Sequence, residues 1–559
     1  MAMLLHPSVL ISISPTPPLS TDSSREQFSS PLSASGFIIA VDGNGDVLMV
    51  TTASWLSEVL EIQFLDTEQV SWKFRGDMSI QEPQFVVLVQ RACDSSTKTC
   101  QMSASIANVC LMKDVLVLLR EELHSLSHWR TAIGEKGDSP TTLTESLLIP
   151  LSCLVLLKLT TSTDARLTDR LCFTFSPPAL GQSVVAIGTP FGAFCPEVFY
   201  NCQSPGTVCK VLGSRNGVLV TDASLPCGSE GAIIVAEATT VCDTNRVINV
   251  LGMVIAGLLS GNGHSSGLSL ACSAHSMWQA LHGSSGLSRK LLQQLTHPIA
   301  QDLTVDKESP QSLREAVVLV MSGGEWASGM LLSDTVVLTC HHVVNNDKDI
   351  TVRTESGESF KAQVIFTNPI PDCALLKLSM PVHHSHPLIT ASKSPDAKSP
   401  PDKVYSSCFK EHPQAIEGRS VTIIGYGCQD PYTPGYHSPL LTRGCVIKAV
   451  CSDGGRVVML VTTAVLLPGM SGGLVVDTVT GEPLGMAVSN SKDLDSGVCY
   501  SKLNYCLPLS WIMPPLVRYL VTNNDKCLHI LTTQGKECSS FWNLTSSVYN
   551  NRMATCSKL

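Results

Sequence analysis

Four stretches of this chain recur in the same order in its second half, and that internal repeat constrains the fold more than any other feature. Leu156 to Leu159 reads against Leu375 to Leu378, and Gly181-Gln182-Ser183-Val184-Val185-Ala186-Ile187-Gly188 against Gly418 to Gly425. Val220 to Val235 matches Val461 to Val476 with a one-residue gap, and Leu251-Gly252-Met253 mirrors Leu484-Gly485-Met486. Around these matches run short stretches rich in Val, Ile, Leu and Thr, such as Phe37 to Val41, Val184 to Ile187 and Val457 to Val461. They are broken at close intervals by Gly, Pro, Asn, Asp and Ser, the pattern of an all-β barrel or sandwich. With 559 residues, 44% hydrophobic and only 15% charged, the chain can bury at least two cores.

The clearest helical stretch is Met277 to Leu295, followed by a polar segment, Ala300 to Arg314, that reads as a linker. The organisation expected is an N-terminal segment over 1–29, a first copy over 30–296 with an insertion near 90–150, and a linker over 297–314. A second copy follows over 315–522, then a polar tail over 523–559 in which Asn-Asn pairs suggest an extension beyond the last folded element.

The second copy carries three motifs that form one chemical unit. A serine hydroxyl is a poor nucleophile at neutral pH and needs an adjacent base, and the base needs a third group to hold its tautomer. Ser471 lies in Leu467-Pro468-Gly469-Met470-Ser471-Gly472-Gly473, His342 in Val337-Leu338-Thr339-Cys340-His341-His342-Val343-Val344, and Asp372 in Asp372-Cys373-Ala374-Leu375-Leu376-Lys377-Leu378. The order His, Asp, Ser is that of the chymotrypsin-like fold and not of the subtilisin or α/β-hydrolase folds. About 100 residues separate Asp372 from Ser471, which suits a double barrel whose first half supplies His and Asp and whose second supplies Ser. The fold class expected is therefore all-β, a chymotrypsin-like double β-barrel present twice, with peptide-bond hydrolysis as its chemistry.

The backbone N–H groups of Gly469 and Ser471 are the expected oxyanion hole. Val488, Ser489 and Asn490 are the expected edge that takes an extended substrate by strand addition. His341 competes with His342 for the base, and His342 is preferred because it directly precedes Val343-Val344. The first copy lacks the chemistry. Ser54 stands where the second has His342, and Cys153 or Ser152 where it has Asp372. The match sets Ser229 at the nucleophile and Glu230 in place of the glycine after it, so that loop is not expected to make its tight turn.

A net charge of -9 with no Lys/Arg block leaves no electrostatic footing for nucleic acid. No apolar run reaches the roughly 18 to 20 residues needed to span a bilayer. The N-terminus, with His6, Pro7 and Pro15 and no basic region, does not read as a cleaved secretory signal. The 22 cysteines include no C-x-x-C spacing and sit in a large chain, so reduced thiols are expected in place of a disulfide framework or zinc ribbon. His383-His384-Ser385-His386 looks metal-like but lies in a Pro- and Ser-rich insertion running to about Pro413, and neither metal nor cofactor is expected. Ser557-Lys558-Leu559 matches the receptor-read peroxisomal address. A peroxisomal matrix location follows, with an import receptor as partner and the Asn543-Leu544-Thr545 sequon unglycosylated.

On these residues the second copy resembles the Deg/HtrA-type trypsin-like serine proteases. Together with the degenerate first copy, the block Gly188-Thr189-Pro190-Phe191-Gly192-Ala193-Phe194-Cys195-Pro196 and the terminal Ser-Lys-Leu, the whole chain is similar to the peroxisomal processing proteases of that type. The resemblance implies a matrix endoprotease that removes N-terminal presequences from imported proteins, trims enzymes of fatty-acid β-oxidation, cuts itself and favours cleavage after Cys. It assigns His342, Asp372 and Ser471 as the triad. Met470, where Ser or Asn is commoner, and an insertion over 380–415 depart from the pattern and bear on pocket shape. The polar stretch Arg91 to Ser103 has loop composition, which makes the Cys100–Gln101 bond a candidate for self-cleavage, with Cys93 and Cys110 as rivals. Two other readings compete. One is a non-catalytic peptide-binding or scaffold protein built on protease-like barrels; the other is a secreted, disulfide-bonded trypsin-like enzyme, and self-association is a further expectation for the main reading.

Overall fold

The computed structural model describes residues 8–13, 32–41, 47–57, 60–64, 70–74, 85–93, 96–122, 130–131, 145–160, 171–190, 201–213, 216–225, 228–237, 241–242, 245–259, 265–283, 311–344, 349–383, 386–389, 416–427, 432, 437–452, 455–492, 499–542 and 556–557. Two compact units divide at Asp306/Lys307, inside the expected linker. Each unit holds a closed six-stranded barrel followed by a second sheet, so the all-β double barrel is built twice.

In the first unit the closed barrel runs Ser8–Ile13, Leu32–Val41, Val47–Thr52, Cys153–Thr160, Ser96–Leu111, Phe85–Cys93 and back to Ser8–Ile13. Its second sheet is ordered Leu171–Phe175, Asn245–Leu259, Ile233–Ala236, Ser183–Gly188, Cys202–Leu212, Val218–Thr221, Ser265–Ser273, and the last strand pairs back to Asn245–Leu259. Alternation explains the core. Val184 and Ala186 of one strand and Ile234 and Ala236 of its neighbour turn to one side, where they meet Val208, Leu219, Leu251 and Val254.

In the second unit the barrel runs Val317–Ser322, Glu325–Ser333, Val336–Thr339, Cys373–Leu378, Ser359–Asn368, Ile350–Arg353 and closes on Val317–Ser322. The second sheet is ordered Leu474–Asp477, Ser420–Gly425, Leu440–Cys451, Val457–Thr462, Cys499–Pro508, Pro483–Lys492, with Leu474–Asp477 pairing back to Pro483–Lys492. A final strand, Cys556–Ser557, lies antiparallel on the free side of Pro483–Lys492, with Asn490 opposite Ser557 and Ser491 opposite Cys556.

Several boundaries differ from the sequence reading. Ser8–Ile13 is a barrel strand with Ile11 fully buried, although residues 1–29 read as a segment outside the first copy. Four apolar residues in a short strand are enough when both of its neighbours supply partners. The stretch Arg91 to Ser103 is not a loop: it is part of a hairpin in which Cys93 pairs with Ser96, Val89 with Cys100 and Leu88 with Gln101. Thr and Ser are as compatible with an extended ladder as with a loop, so polarity there misled. The insertion accordingly begins after Leu111, and includes the helices Lys113–Glu122 and Glu145–Leu151. The helix expected over Met277 to Leu295 spans Ala274–His282, with Ser273 as N-cap accepting the Ser276 N–H and Gly283 as its C-cap; residues 284–300 lie outside the described residues.

The polar tail is folded as far as Trp542. Helix Leu509–Thr522 ends on Asn523 in the left-handed conformation (φ 50°), its N–H donating to the Tyr519 carbonyl at 2.7 Å. Asn524 Oδ1 then accepts the Lys526 N–H at 3.0 Å at the start of helix Lys526–Glu537. The Asn-Asn pair is thus a helix-to-helix turn, because Asn tolerates positive φ and its short side chain caps the next helix. Leu528 and Leu531 are buried, and the Asn368 amide donates to the Leu531 carbonyl at 2.9 Å. Residues 543–555, with the Asn543 sequon, and Lys558 and Leu559 lie outside the described residues, as do 191–200 and 390–415. Among the described residues no helix is long and apolar enough to cross a membrane.

If the tail is part of the second unit, Leu531→Ala lowers stability by about 2–4 kcal/mol, the range for truncating a buried leucine. Denaturant unfolding of the full chain measures it.

Candidate active site

Val336–Thr339 delivers His341 and His342 into a short helical turn, His341–Val343, and Cys373–Leu378 begins directly after Asp372. Asp372 is held at φ 57°, a conformation a non-glycine residue adopts only under constraint. That backbone turns all of its acceptors toward one loop. Its carbonyl accepts the His341 N–H at 3.2 Å, Oδ1 accepts the His342 N–H at 2.9 Å, and Oδ2 meets His342 Nδ1 at 2.6 Å. A carboxylate only accepts, so Nδ1 carries the proton and Nε2 is left as the basic nitrogen. The Asp372 side chain is 2% exposed and that of His342 17%, so the acid is sealed behind a ring that reaches solvent. His341, the rival base, gives only its backbone to Asp372.

The nucleophile loop is bolted to the first barrel of the unit by Ser328. The Ser328 N–H donates to the Ser471 carbonyl at 2.8 Å, its Oγ donates to the Gly469 carbonyl at 2.8 Å, and the same Oγ accepts the Tyr426 N–H at 2.7 Å. Thr339 Oγ1 donates to the Ser328 carbonyl at 2.7 Å. Gly472, at φ 83°, comes so close that a Cβ would stand 2.0 Å from that carbonyl, so no other residue fits. The two loops also meet at the Ala487 carbonyl, which accepts the Gly472 N–H at 2.7 Å and the Cys340 thiol at 3.6 Å. Ser471 itself is 4% exposed.

Within the loop the Met470, Gly472 and Gly473 N–H groups donate to the Leu467, Ala487 and Met470 carbonyls. The Gly469 and Ser471 N–H groups have no acceptor among the described residues, as an oxyanion hole requires. Cys340, His342 and Asp372 bring potential metal-ligand atoms within 4.8 Å of one another, yet the Cys340 thiol and His342 Nδ1 are already engaged in the hydrogen bonds above. Burial, and then the Asp372 charge, push the neighbouring Cys373 thiol up to about 12, so it stays protonated and inert. Cys153, Cys272, Cys373 and Cys506 are buried free thiols. Of the other histidine cluster, His386 Nε2 lies 3.4 Å from Glu315 Oε2, while His384 lies outside the described residues.

Ser328 and Thr339 were missed in the sequence although the repeat marks both. Ala34-Ser35-Gly36 mirrors Ala327-Ser328-Gly329, and Thr51 mirrors Thr339. In the first unit the Ser35 N–H donates to the Glu230 carbonyl at 2.9 Å and Thr51 Oγ1 to the Ser35 carbonyl at 2.7 Å. The Gly231 N–H donates to the Val254 carbonyl at 2.8 Å, and a Cβ on Gly231 would stand 2.0 Å from the Ser35 carbonyl. These contacts repeat those of Ser471 and Gly472 one for one, so Glu230 occupies the nucleophile position and not that of the following glycine. In that register the match from Val220 to Val235 runs without a gap, and the tight turn is kept, with Gly228 and Gly231 both at φ 87°. The Ala53 N–H donates to the Cys153 carbonyl at 2.9 Å, which sets Cys153, not Ser152, at the position of Asp372.

Glu230 Oε2 accepts the Gly228 N–H at 3.0 Å. In the first unit the Gly228 N–H is thus spent on a carboxyl group, while Ser54 at the histidine position donates to the Ile255 carbonyl at 2.9 Å. Burial raises Glu230 above the ordinary carboxylate range, outweighing the backbone N–H groups that lower it.

Fold and site together define a trypsin-like peptidase domain. A family profile described as "Trypsin-like peptidase domain" matches residues 327–486. The chain is similar to the peroxisomal leader peptide-processing protease of Homo sapiens, 27% identical over 376 residues that cover 65% of this chain and 60% of that protein. It is similar also to that of Mus musculus, 28% identical over 366 residues, 62% of this chain and 56% of that protein. It thus spans about 60% of the length of the curated relatives it matches. Among solved structures, a serine endoprotease from Yersinia pestis aligns with 20% identity and a TM-score of 0.28, covering 38% of this chain and 64% of that one.

Ser328→Ala strands the buried Tyr426 N–H and releases Gly469, so unfolding free energy drops by about 1–3 kcal/mol. Chemical denaturation measures it. For Glu230 the folded pKa is raised, so its contribution is fully present below the ordinary carboxylate value and is lost as pH rises toward the folded value. Glu230→Gln does not titrate there. Unfolding at pH of about 4 and about 7 should show the variant gaining on wild type as pH rises.

Proposed function

We propose that the chain is a serine endopeptidase of the peroxisomal matrix that removes N-terminal presequences from imported proteins and processes β-oxidation enzymes. The observation that carries the reading is the Asp372 fork on His342, with Nε2 left basic, in the same unit as a Ser471 loop that keeps two N–H groups unspent. The names of the human and mouse relatives, peroxisomal leader peptide-processing proteases, support the compartment and the removal of presequences.

In this mechanism His342 Nε2 takes the Ser471 proton as Oγ attacks the scissile carbonyl, and Asp372 stabilises the imidazolium that results. The Gly469 and Ser471 N–H groups hold the tetrahedral oxyanion, and His342 returns the proton to the leaving amine. Water then repeats the cycle on the acyl-enzyme. Substrate pairs as an extra strand along Val488 to Asn490, and this edge takes an extended segment in the structure itself, where Cys556–Ser557 lies antiparallel to it. Capture of Ser557-Lys558-Leu559 by an import receptor requires that two-residue strand to lift off.

Self-cleavage belongs to the same proposal. At Cys100–Gln101 it needs the Phe85–Cys93/Ser96–Leu111 hairpin to unpair, since both residues lie mid-strand; Cys93, in the pair that closes the hairpin, needs the least opening. Sequencing the N-terminus of the large fragment distinguishes them.

The first unit favours a non-catalytic role, because Glu230 and Ser54 replace nucleophile and base. Full-length protein incubated with a presequence-bearing protein should produce new N-termini that vanish in Ser471→Ala, with a rate loss on the order of 10⁶. Ser229→Ala should cut as wild type does. Equal cutting by Ser471→Ala would sink the reading.

A further inference from the structure

One side of strand Pro483–Lys492 is paired by Cys499–Pro508 along most of its length. The other side is covered in two stages. Leu474–Asp477 takes it as far as Met486, and further on Cys556–Ser557 takes it, with Asn490 opposite Ser557 and Ser491 opposite Cys556. A strand edge left open is a template for another strand, and here the occupant is the chain's own tail. Its direction carries the argument. Pro483–Lys492 leads away from Ala487, whose carbonyl accepts the Gly472 N–H beside the nucleophile, so the antiparallel Cys556–Ser557 runs toward that loop. A substrate must run the same way for the residues before its scissile bond to lie on this edge and the bond itself to reach Ser471. The tail thus has the polarity of a substrate.

The first unit repeats the arrangement with a different segment. The Gly231 N–H donates to the Val254 carbonyl as that of Gly472 does to Ala487, and in this register Leu258 and Leu259 stand where Ser491 and Lys492 do. Arg130–Thr131 lies antiparallel there, Thr131 opposite Leu258 and Arg130 opposite Leu259, and it too runs toward the turn of its unit. It comes from the insertion between helices Lys113–Glu122 and Glu145–Leu151, whereas Cys556–Ser557 follows the last helices of the chain. Neither segment belongs to the repeat. Two segments of separate origin, on the same edge and with the same polarity, mark this edge as one that the chain itself fills.

We propose that Cys556–Ser557 is an autoinhibitory strand, which occupies the substrate edge at Asn490 and Ser491 and must leave before a substrate pairs there. The inference rests on the endopeptidase reading and adds to it a control on the same site. Tethering makes so short a strand effective, since a segment of the same chain competes at an effective concentration on the order of mM. Competition for a shared edge divides apparent affinity by the fraction of molecules whose edge is free, and so raises KM while leaving kcat alone.

The test compares the full-length protein with a chain ending at Thr555 and with a Cys556→Pro, Ser557→Pro double variant, in which neither residue has an N–H to give to a ladder. On a peptide spanning a presequence junction, both should lower KM about threefold or more at unchanged kcat. A synthetic peptide of Ala554 to Leu559, added at about 1 mM to the chain ending at Thr555, should raise KM again. Hydrogen exchange reads the contact without catalysis, and the segment Val488 to Lys492 should exchange faster in both variants than in wild type. KM unchanged in both variants, a change in kcat alone, or unchanged exchange of that segment overturns the proposal and leaves the peptidase standing. Loss of C-terminal residues from wild type but not from Ser471→Ala would make the tail a substrate and overturns it too. Absence of any Ser471-dependent cleavage overturns the peptidase reading and this proposal with it.

Discussion

A single serine on the first barrel of each unit holds the loop that follows the second sheet's strand. Ser328 gives its N–H to the Ser471 carbonyl and its hydroxyl to the Gly469 carbonyl, and takes the Tyr426 N–H. All of these groups are buried, so each lost bond leaves a polar atom uncompensated. The loop cannot move without breaking several at once, and Thr339, three residues before His342, is fastened to the same serine. The His342 turn and the Ser471 loop are thereby referred to one point, although they follow strands of different sheets.

The same bolt survives in the first unit, where Ser35 holds Glu230. Its persistence there separates structural from chemical roles. Gly228 and Gly231 keep their positive φ and Ser35 and Thr51 keep their bonds, while histidine, aspartate and serine have become Ser54, Cys153 and Glu230. The turn is a requirement of packing two barrels, and the triad is not. The carboxyl group of Glu230 fits at this position because the turn presents the Gly228 N–H to it.

The double barrel was legible because alternation along strands and the repeat both follow from burial on one face, a local property that residue type records. The expectation of His342, Asp372 and Ser471 came from residue types in chain order, and of these the structure joins Asp372 to His342 by hydrogen bonds. Register was not. A one-residue slip in matching Pro226-Cys227-Gly228 to Pro468-Gly469 set Ser229 at the nucleophile, and only the hydrogen bonds of Ser35 and Val254 place Glu230 there. The strand Ser8–Ile13 and the Cys93–Ser96 hairpin were hidden for a related reason, since their partners supply what composition lacks.

What the sequence by itself determined is the set of residue types, their order and the two-fold repetition of an all-β plan, because these depend on each residue's own chemistry and near neighbours. What only the tertiary structure decided is which atoms are spent and which are left over. Asn490 and Asn504 are ordinary polar residues in the chain; their nitrogens are consumed by Leu466 and Ala464 and their oxygens stranded only once three strands and a loop converge. Hydrogen bonding is short-ranged and directional, so its balance at a buried site is settled by residues far apart in sequence.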